Sequence, residues 1–183
     1  MEMRGERVLA ASRETAWTLL NDSELLRLCI PGCESMTGSG DDTYDVVMTA
    51  AIGPVKARFK GKLTLRDIEP PSRYRLLFEG QSAQAGFARG EARVELEELS
   101  ARETRLLYIA TAQIGGKLAQ IGARLIDAAA AATADRFFQS FAGQLSARTP
   151  ADGTGTAAAA AVPAAHPGFW SWLKSFLKHL WSR

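Results

Sequence analysis

From Tyr44 onward, apolar and polar residues alternate. Tyr44, Val46, Met48, Ala50 and Ile52 share one face of an extended segment, and Gly53-Pro54 makes the turn that ends it. Val55, Ala57, Phe59, Gly61, Leu63 and Leu65 then point one way, and Lys56, Arg58, Lys60, Lys62, Thr64 and Arg66 the other. Tyr74, Leu76 and Phe78 predict the next inward face. Ala88, Gly90, Ala92, Val94 and Leu96 follow, alternating with Arg89, Glu91, Arg93, Glu95 and Glu97, and then Leu106, Tyr108, Ala110, Ala112 and Ile114. Period two with one polar side predicts an antiparallel sheet covered on one face only.

The flanking segments read as helices. A first strand over about Glu2 to Ala11 runs into Ser12, an N-cap, with Glu14 in the first turn and Trp17 and Leu20 on one face. A second short helix, Ser23 to Cys29, ends at Ile30-Pro31-Gly32. After Gly115-Gly116 a long helix is expected from Lys117 to about Ala147, its first half burying Leu118, Ile121, Gly122, Leu125 and Ala129. Continued at about 100° per residue, Phe138, Phe141 and Leu145 leave that stripe, so the helix must bend, twist round the body or present a second face. Strand, two short helices, a run of antiparallel strands and one long covering helix make an α+β two-layer domain.

Composition divides the chain further. Residues 148–168 are almost wholly Ala, Gly, Pro and Thr, with nothing large enough to pack, which predicts a disordered linker with a reach of roughly 25 Å. Residues 1–147 are then the folded domain and 169–183 a tail. In the tail, Phe169, Trp172, Leu173, Phe176, Leu177 and Leu180 gather on one helical face, and Ser171, Lys174, Ser175, Lys178, His179 and Ser182 on the other. Trp170 and Trp181 stand near the border. A helix of this length spans roughly 22 Å, too short and too charged to cross a hydrocarbon core of about 30 Å. It fits a helix lying in the membrane interface; folding back on the body and docking into a partner's groove are the alternatives.

Charge sharpens the division. Of 22 basic and 20 acidic residues, three basic and one acidic lie beyond residue 150, leaving 19 of each in the body. A neutral body has no excess of cations with which to hold a nucleic acid. Both histidines, His166 and His179, also lie beyond it, so the body offers no Ser-His-Asp or Cys-His nucleophile and no histidine metal ligand. Cys29 and Cys33 fit neither a redox pair nor half a zinc site and read as reduced thiols. The opening MEMRGERVLA lacks the apolar core of a secretory signal. The row from Lys56 to Arg66 reads either as a stripe for an acidic partner or anionic lipid, or as a strand's outer face paired with neighbouring carboxylates.

The order of elements resembles the helix-grip fold of the START and polyketide-cyclase-like superfamily, a curved antiparallel sheet of about seven strands wrapped on a long C-terminal helix. More narrowly, three segments resemble the family of the carbon monoxide dehydrogenase G subunit over residues 1 to about 147. They are Pro31-Gly32-Cys33-Glu34, the stretch from Gly86 to Ala92 (GFARGEA), and the stretch from Gly115 to Asp127 (GGKLAQIGARLID). The resemblance implies a hydrophobic pocket between sheet and helix, and an accessory protein that helps place a molybdenum-containing dehydrogenase at the membrane, with a quinone such as menaquinone as ligand. It supplies no catalytic motif to carry over.

The residues allow such a pocket. Ala88, Gly90, Ala92, Ala110 and Ala112 are small; Tyr44, Met48, Phe59, Phe78 and Tyr108 would wall a space above them, with Leu118, Ile121 and Leu125 as its roof and Phe87 as a gate in a loop. Small residues would equally let helix and sheet approach closely. Three functions follow as expectations. The first is a non-enzymatic carrier of an apolar molecule, held at the cytoplasmic leaflet of the cell membrane by its tail. The second is a cyclase-like enzyme using the same pocket, and the third an adaptor with a filled core.

Overall fold

The structure is a computed structural model and describes residues 1–148. The expected linker from residue 149 and the whole tail therefore lie outside the described residues.

Strand β1 (Glu2–Leu9) leads into helices α1 (Arg13–Leu20) and α2 (Ser23–Cys29). Strands β2 (Cys33–Gly40), β3 (Thr43–Ile52), β4 (Val55–Glu69), β5 (Arg73–Ser82), β6 (Gly86–Ser100) and β7 (Glu103–Gly115) follow, then α3 (Lys117–Gln120) and α4 (Ala123–Arg148). The Ser12 hydroxyl caps α1 by accepting from the Thr15 amide, and the Asp22 carboxylate caps α2 by accepting from the Glu24 and Leu25 amides. The sheet is antiparallel throughout, in the order β1-β7-β6-β5-β4-β3-β2. Only the long return from β1 to β2 breaks the meander, and α1 and α2 fill it.

Two features of the C-terminal helix differ from the expectation. It breaks at Gly122, whose φ of +95° is left-handed and favours glycine, so α3 and α4 are separate helices. The break resets the phase of the apolar stripe. Beyond it Ile126, Ala130, Ala134, Phe137, Phe141 and Leu145 form one continuous less-exposed side, and no second face is needed. Leu125, expected to be buried, is 50% exposed, and Ile126 takes its place inside at 8%. The helix also runs one residue further than expected: Arg148 is its last residue, and its guanidinium lies 3.4 Å from the Asp22 carboxylate.

Two apolar clusters occupy opposite ends of the sheet's inner face. At one end Trp17, Leu20 and Leu25 from α1 and α2 meet Tyr74, Leu96 and Leu106 from the sheet and Phe141 and Leu145 from α4. Trp17 packs edge-on against Tyr74, and Tyr108 stacks on Phe138 with centroids 5.5 Å apart. At the other end Ala57, Phe59, Ala85 and Leu118 form a smaller cluster, ringed by Met48, Ile52, Val55, Ile114 and Ile121.

Candidate functional site between the sheet and α4

The strand register shows what separates the clusters. One cross-strand row of the inner face reads Tyr44, Leu63, Phe78, Gly90, Ala112. The row beside it reads Val46, Gly61, Gly80, Ala88, Ile114, and on the other side stand Leu65, Leu76, Ala92 and Ala110. Gly61, Gly80, Ala88, Gly90, Ala92, Ala110 and Ala112 thus form a continuous floor of small residues across β4 to β7. Two of the glycines are required by the curl of the sheet. A Cβ at Gly90 would collide with the Thr111 carbonyl oxygen, and one at Gly61 with that of Glu79. In α4, residues 128–132, between Ile126 and Phe137, are all Ala and also carry no large side chain. Across this middle zone the floor alanines of β6 and β7 stay half-buried, as do Ala129 and Ala130. Each end of the inner face is packed, and between the two ends the large side chains are Tyr44, Leu63 and Phe78 of the central row, with Gly and Ala around them.

Most of the expected ligand-facing residues border this zone. Tyr44 and Phe78 share its central row, and the ring of Phe78 leans over Gly90, where a Cβ would be 2.9 Å from Cζ. Met48, Phe59, Leu118 and Ile121 belong to the smaller cluster at one end, and Tyr108 stands at the other beside Phe138. Phe87 does not border it. It lies in β6 rather than in a loop, on the same face as Arg89, whose guanidinium carbon is 5.8 Å from its ring centroid. Its ring covers Gly115, so it sits on the outer side of the sheet and cannot gate an inner space. Leu125 also leaves the set: its side chain reaches the Gly53 turn from outside, 3.8 Å from where a Cβ there would lie. Gly61 and Gly80 are floor positions that the pattern of small residues along the chain does not reveal. Nor does it reveal Arg7, which crosses the Phe138 ring at 5.2 Å and bonds to Asp135 of α4.

The electrostatics suit an apolar guest. Burial raises the Tyr74 phenol far above its ordinary pKa, and burial, reinforced by the Asp42 carboxylate, raises that of Tyr44. Both are therefore neutral hydrogen-bond donors at physiological pH, and the Tyr44 hydroxyl has no hydrogen-bond partner among the described residues. Among the described residues no group of three His, Cys, Asp or Glu side chains is placed to hold a metal ion.

Charge is concentrated on the outer face. Arg58 pairs with Glu34 at 2.7 Å and Lys62 with Asp45 at 2.7 Å; Arg75 pairs with Asp67 and Glu91, and Arg105 with Glu97. Hydrogen bonds from Arg58 and Thr49 hold the Glu34 carboxyl below its usual range. The row from Lys56 to Arg66 is thus the outer face of a strand with two of its members paired, whereas Lys56, Lys60 and Arg66 make no ion pair among the described residues. Two shallow grooves open on this face. One of about 570 Å³ includes Lys62, Glu79, Arg89 and Glu91, and one of about 950 Å³ includes Arg4, Asp67, Arg73 and Arg93. Their walls mix both signs of charge.

The family model of CoxG, the G subunit of carbon monoxide dehydrogenase, matches residues 5–146. The chain belongs to this family. A conserved protein from Geobacillus kaustophilus has a similar structure, with a TM-score of 0.77, 30% sequence identity, and coverage of 80% of this chain and 96% of that one. The Zhui aromatase/cyclase from Streptomyces sp. R1128 superposes with a TM-score of 0.63 at 14% identity, covering 84% and 98%. A START superfamily protein from Mycobacterium smegmatis gives 0.61 at 14%, covering 81% and 99%. No curated protein matches the sequence. The chain thus has the START-like helix-grip architecture that the order of its elements implies, and the middle zone lies on the inner face of its sheet.

The two thiols have no place in that zone. Both are free; Cys29 is 1% exposed at the end of α2, and desolvation raises the pKa of both. A raised pKa keeps a thiol protonated and unreactive until the pH climbs further. At mildly alkaline pH the folded protein is therefore expected to be alkylated by iodoacetamide at Cys33 well before Cys29, with both sites equalised in denaturant. Peptide mass mapping of a time course checks this, and equal rates in the native protein would contradict the burial of α2.

Proposed function

We propose that this protein is a non-enzymatic accessory protein that holds an apolar molecule, most suitably a prenylated quinone such as menaquinone, between the sheet and α4. It serves a molybdenum-containing dehydrogenase of the carbon monoxide dehydrogenase type, and the amphipathic tail keeps it at the cytoplasmic leaflet of the cell membrane. The observation that carries the ligand reading is the floor of seven Gly and Ala residues between two packed clusters, under a covering helix whose residues 128–132 are all Ala. Small residues on both sides leave room that an isoprenoid chain can fill, gaining about 0.8 kcal/mol per methylene removed from water. The family supports the accessory role and the dehydrogenase as its partner. Among the described residues no helix is long and apolar enough to cross a membrane.

Tyr44 gives the site its polar contact. Its neutral phenol can donate to a quinone carbonyl, while Phe78 and Leu63 in the same row accept the ring and the start of the chain. Tyr44→Phe is expected to weaken quinone binding by about threefold to tenfold, the worth of one hydrogen bond, and to leave binding of a hydrocarbon of similar length unchanged. Fluorescence titration with both ligands separates the two.

Organic extraction of the purified protein followed by mass spectrometry tests the reading itself. Co-purified prenylated quinone supports the carrier. A protein that arrives empty and binds no added quinone is an adaptor, and conversion of an aromatic polyketide would make it an enzyme of the kind its aromatase/cyclase neighbour is named for.

A further inference from the structure

The β3–β4 hairpin and the α3–α4 junction meet at one end of the domain. A Cβ at Gly53 would lie 3.5 Å from Ile121 Cγ2 and 3.8 Å from Leu125 Cδ1, so the tip of the hairpin touches the break between the helices. The surface they make together is apolar where they meet. Pro54 is exposed, Ile52, Val55 and Ile121 are half-buried, and Leu125 is 50% exposed.

The segments that form this patch also carry basic residues. Lys56 follows the hairpin turn, Lys117 opens α3, and Arg124 is the second residue of α4; all three are exposed. None makes an ion pair among the described residues, whereas Arg58 and Lys62 further along β4 are neutralised by Glu34 and Asp45. Residues 50–57 contain no carboxylate, and residues 115–127 contain only Asp127. An exposed leucine beside a proline turn, on segments whose cations make no ion pair among the described residues, has the chemistry of a surface that meets a bilayer: apolar groups at acyl depth and cations among anionic headgroups. An acidic protein would satisfy the cations but not the leucine, and a second copy of this chain would set like charges against each other.

We propose that this end of the domain docks on an anionic membrane, separately from the tail. The proposal rests on the carrier reading for its purpose. The hairpin tip and the helix break flank the smaller cluster at that end of the inner face, so contact there would let an apolar ligand pass between bilayer and site without crossing water. The docking itself needs no ligand.

The test uses the full chain with Cys33→Ser and Pro54→Cys, labelled at the hairpin tip with an environment-sensitive nitrobenzoxadiazole probe; buried Cys29 is left in place. Vesicles are phosphatidylcholine with or without phosphatidylglycerol. The emission is expected to shift to the blue on anionic vesicles and far less on neutral ones. Adding Lys56→Glu, Lys117→Glu and Arg124→Glu should cut the shifted fraction by about tenfold or more, while the chain still sediments through its tail. These three side chains are exposed and make no ion pair among the described residues, so their reversal should leave the melting curve unchanged. A probe that keeps its aqueous emission on the sedimented labelled chain without the charge reversals would overturn the proposal, and so would a shift that survives the charge reversal. Extraction of quinone from the same preparations separates the two ideas. A shifted probe on an empty protein supports docking and removes the carrier, and quinone in a protein whose probe stays in water does the opposite.

Discussion

Ala112→Phe is expected to fold normally and to lose its ligand. Ala112 ends the central row of the inner face, two strands from Phe78 and opposite Gly90, and is only half-buried there. If the space above it is open, a phenyl ring enters that space, buries further apolar area and changes stability by no more than about 1 kcal/mol. If small residues merely let the layers close on each other, the same ring overpacks the core and costs about 1–3 kcal/mol or more. Ala16→Phe is the control for that second case, because Ala16 is 0% exposed within the larger cluster and should lose stability heavily. In the open case, quinone recovered by extraction should fall by about tenfold or more, because the ring occupies the volume that binding requires. Urea denaturation and extraction on the same sample decide between the two packings. A strongly destabilised Ala112→Phe protein would mean that the middle zone is closed, and the adaptor would then be the better reading.

The strands are legible in the sequence because a sheet with one wet face must alternate, and β3 to β7 do so over most of their length, the clearest interruption being the bulge at Asp67 that brings Leu65 and Ile68 to the same cluster. Strand β2 is harder to see: CESMTGSG has one buried side chain, Met36, and four exposed residues at its end, so as an edge strand it carries almost no pattern. Phe87 misleads because an aromatic beside a glycine suggests a gate, yet it is two residues from Arg89, and that spacing alone puts it on the polar face. The helix break is hidden for another reason. Gly122 continues an apolar stripe as well as alanine would, and only its left-handed φ, which the spacing of apolar residues does not encode, ends α3 and turns Leu125 outward. Small residues on β6 and β7 can be read from the sequence. That Gly61 and Gly80 extend the same floor cannot, because it depends on cross-strand register.

Removing the tail's apolar face is expected to have the largest effect on membrane binding. The full chain should sediment with vesicles containing anionic lipid, and Trp172→Glu with Phe176→Glu should reduce this by about a hundredfold or more. Two large apolar anchors, worth about 1.5–3 kcal/mol each on burial, are exchanged for charges that must then be forced into the interface. Lys174→Gln with Lys178→Gln should act differently: each cation adds on the order of 1 kcal/mol near an anionic leaflet, but that attraction is screened over about 10 Å at 0.1 M salt. Its loss should therefore be plain at low salt and small at high salt. Ending the chain after Arg148 should leave a folded body, because both apolar clusters are built from residues up to Leu145 and the family match ends at residue 146. That body retains the hairpin-tip patch, with three unpaired cations and one half-exposed leucine, so its binding should be weak, salt-sensitive and well below that of the intact chain. Sedimentation of the four proteins across a salt series measures all of this. Equal binding by the truncated and intact chains would move the anchor from the tail to the body, and the hairpin tip would then be the whole membrane contact rather than half of it.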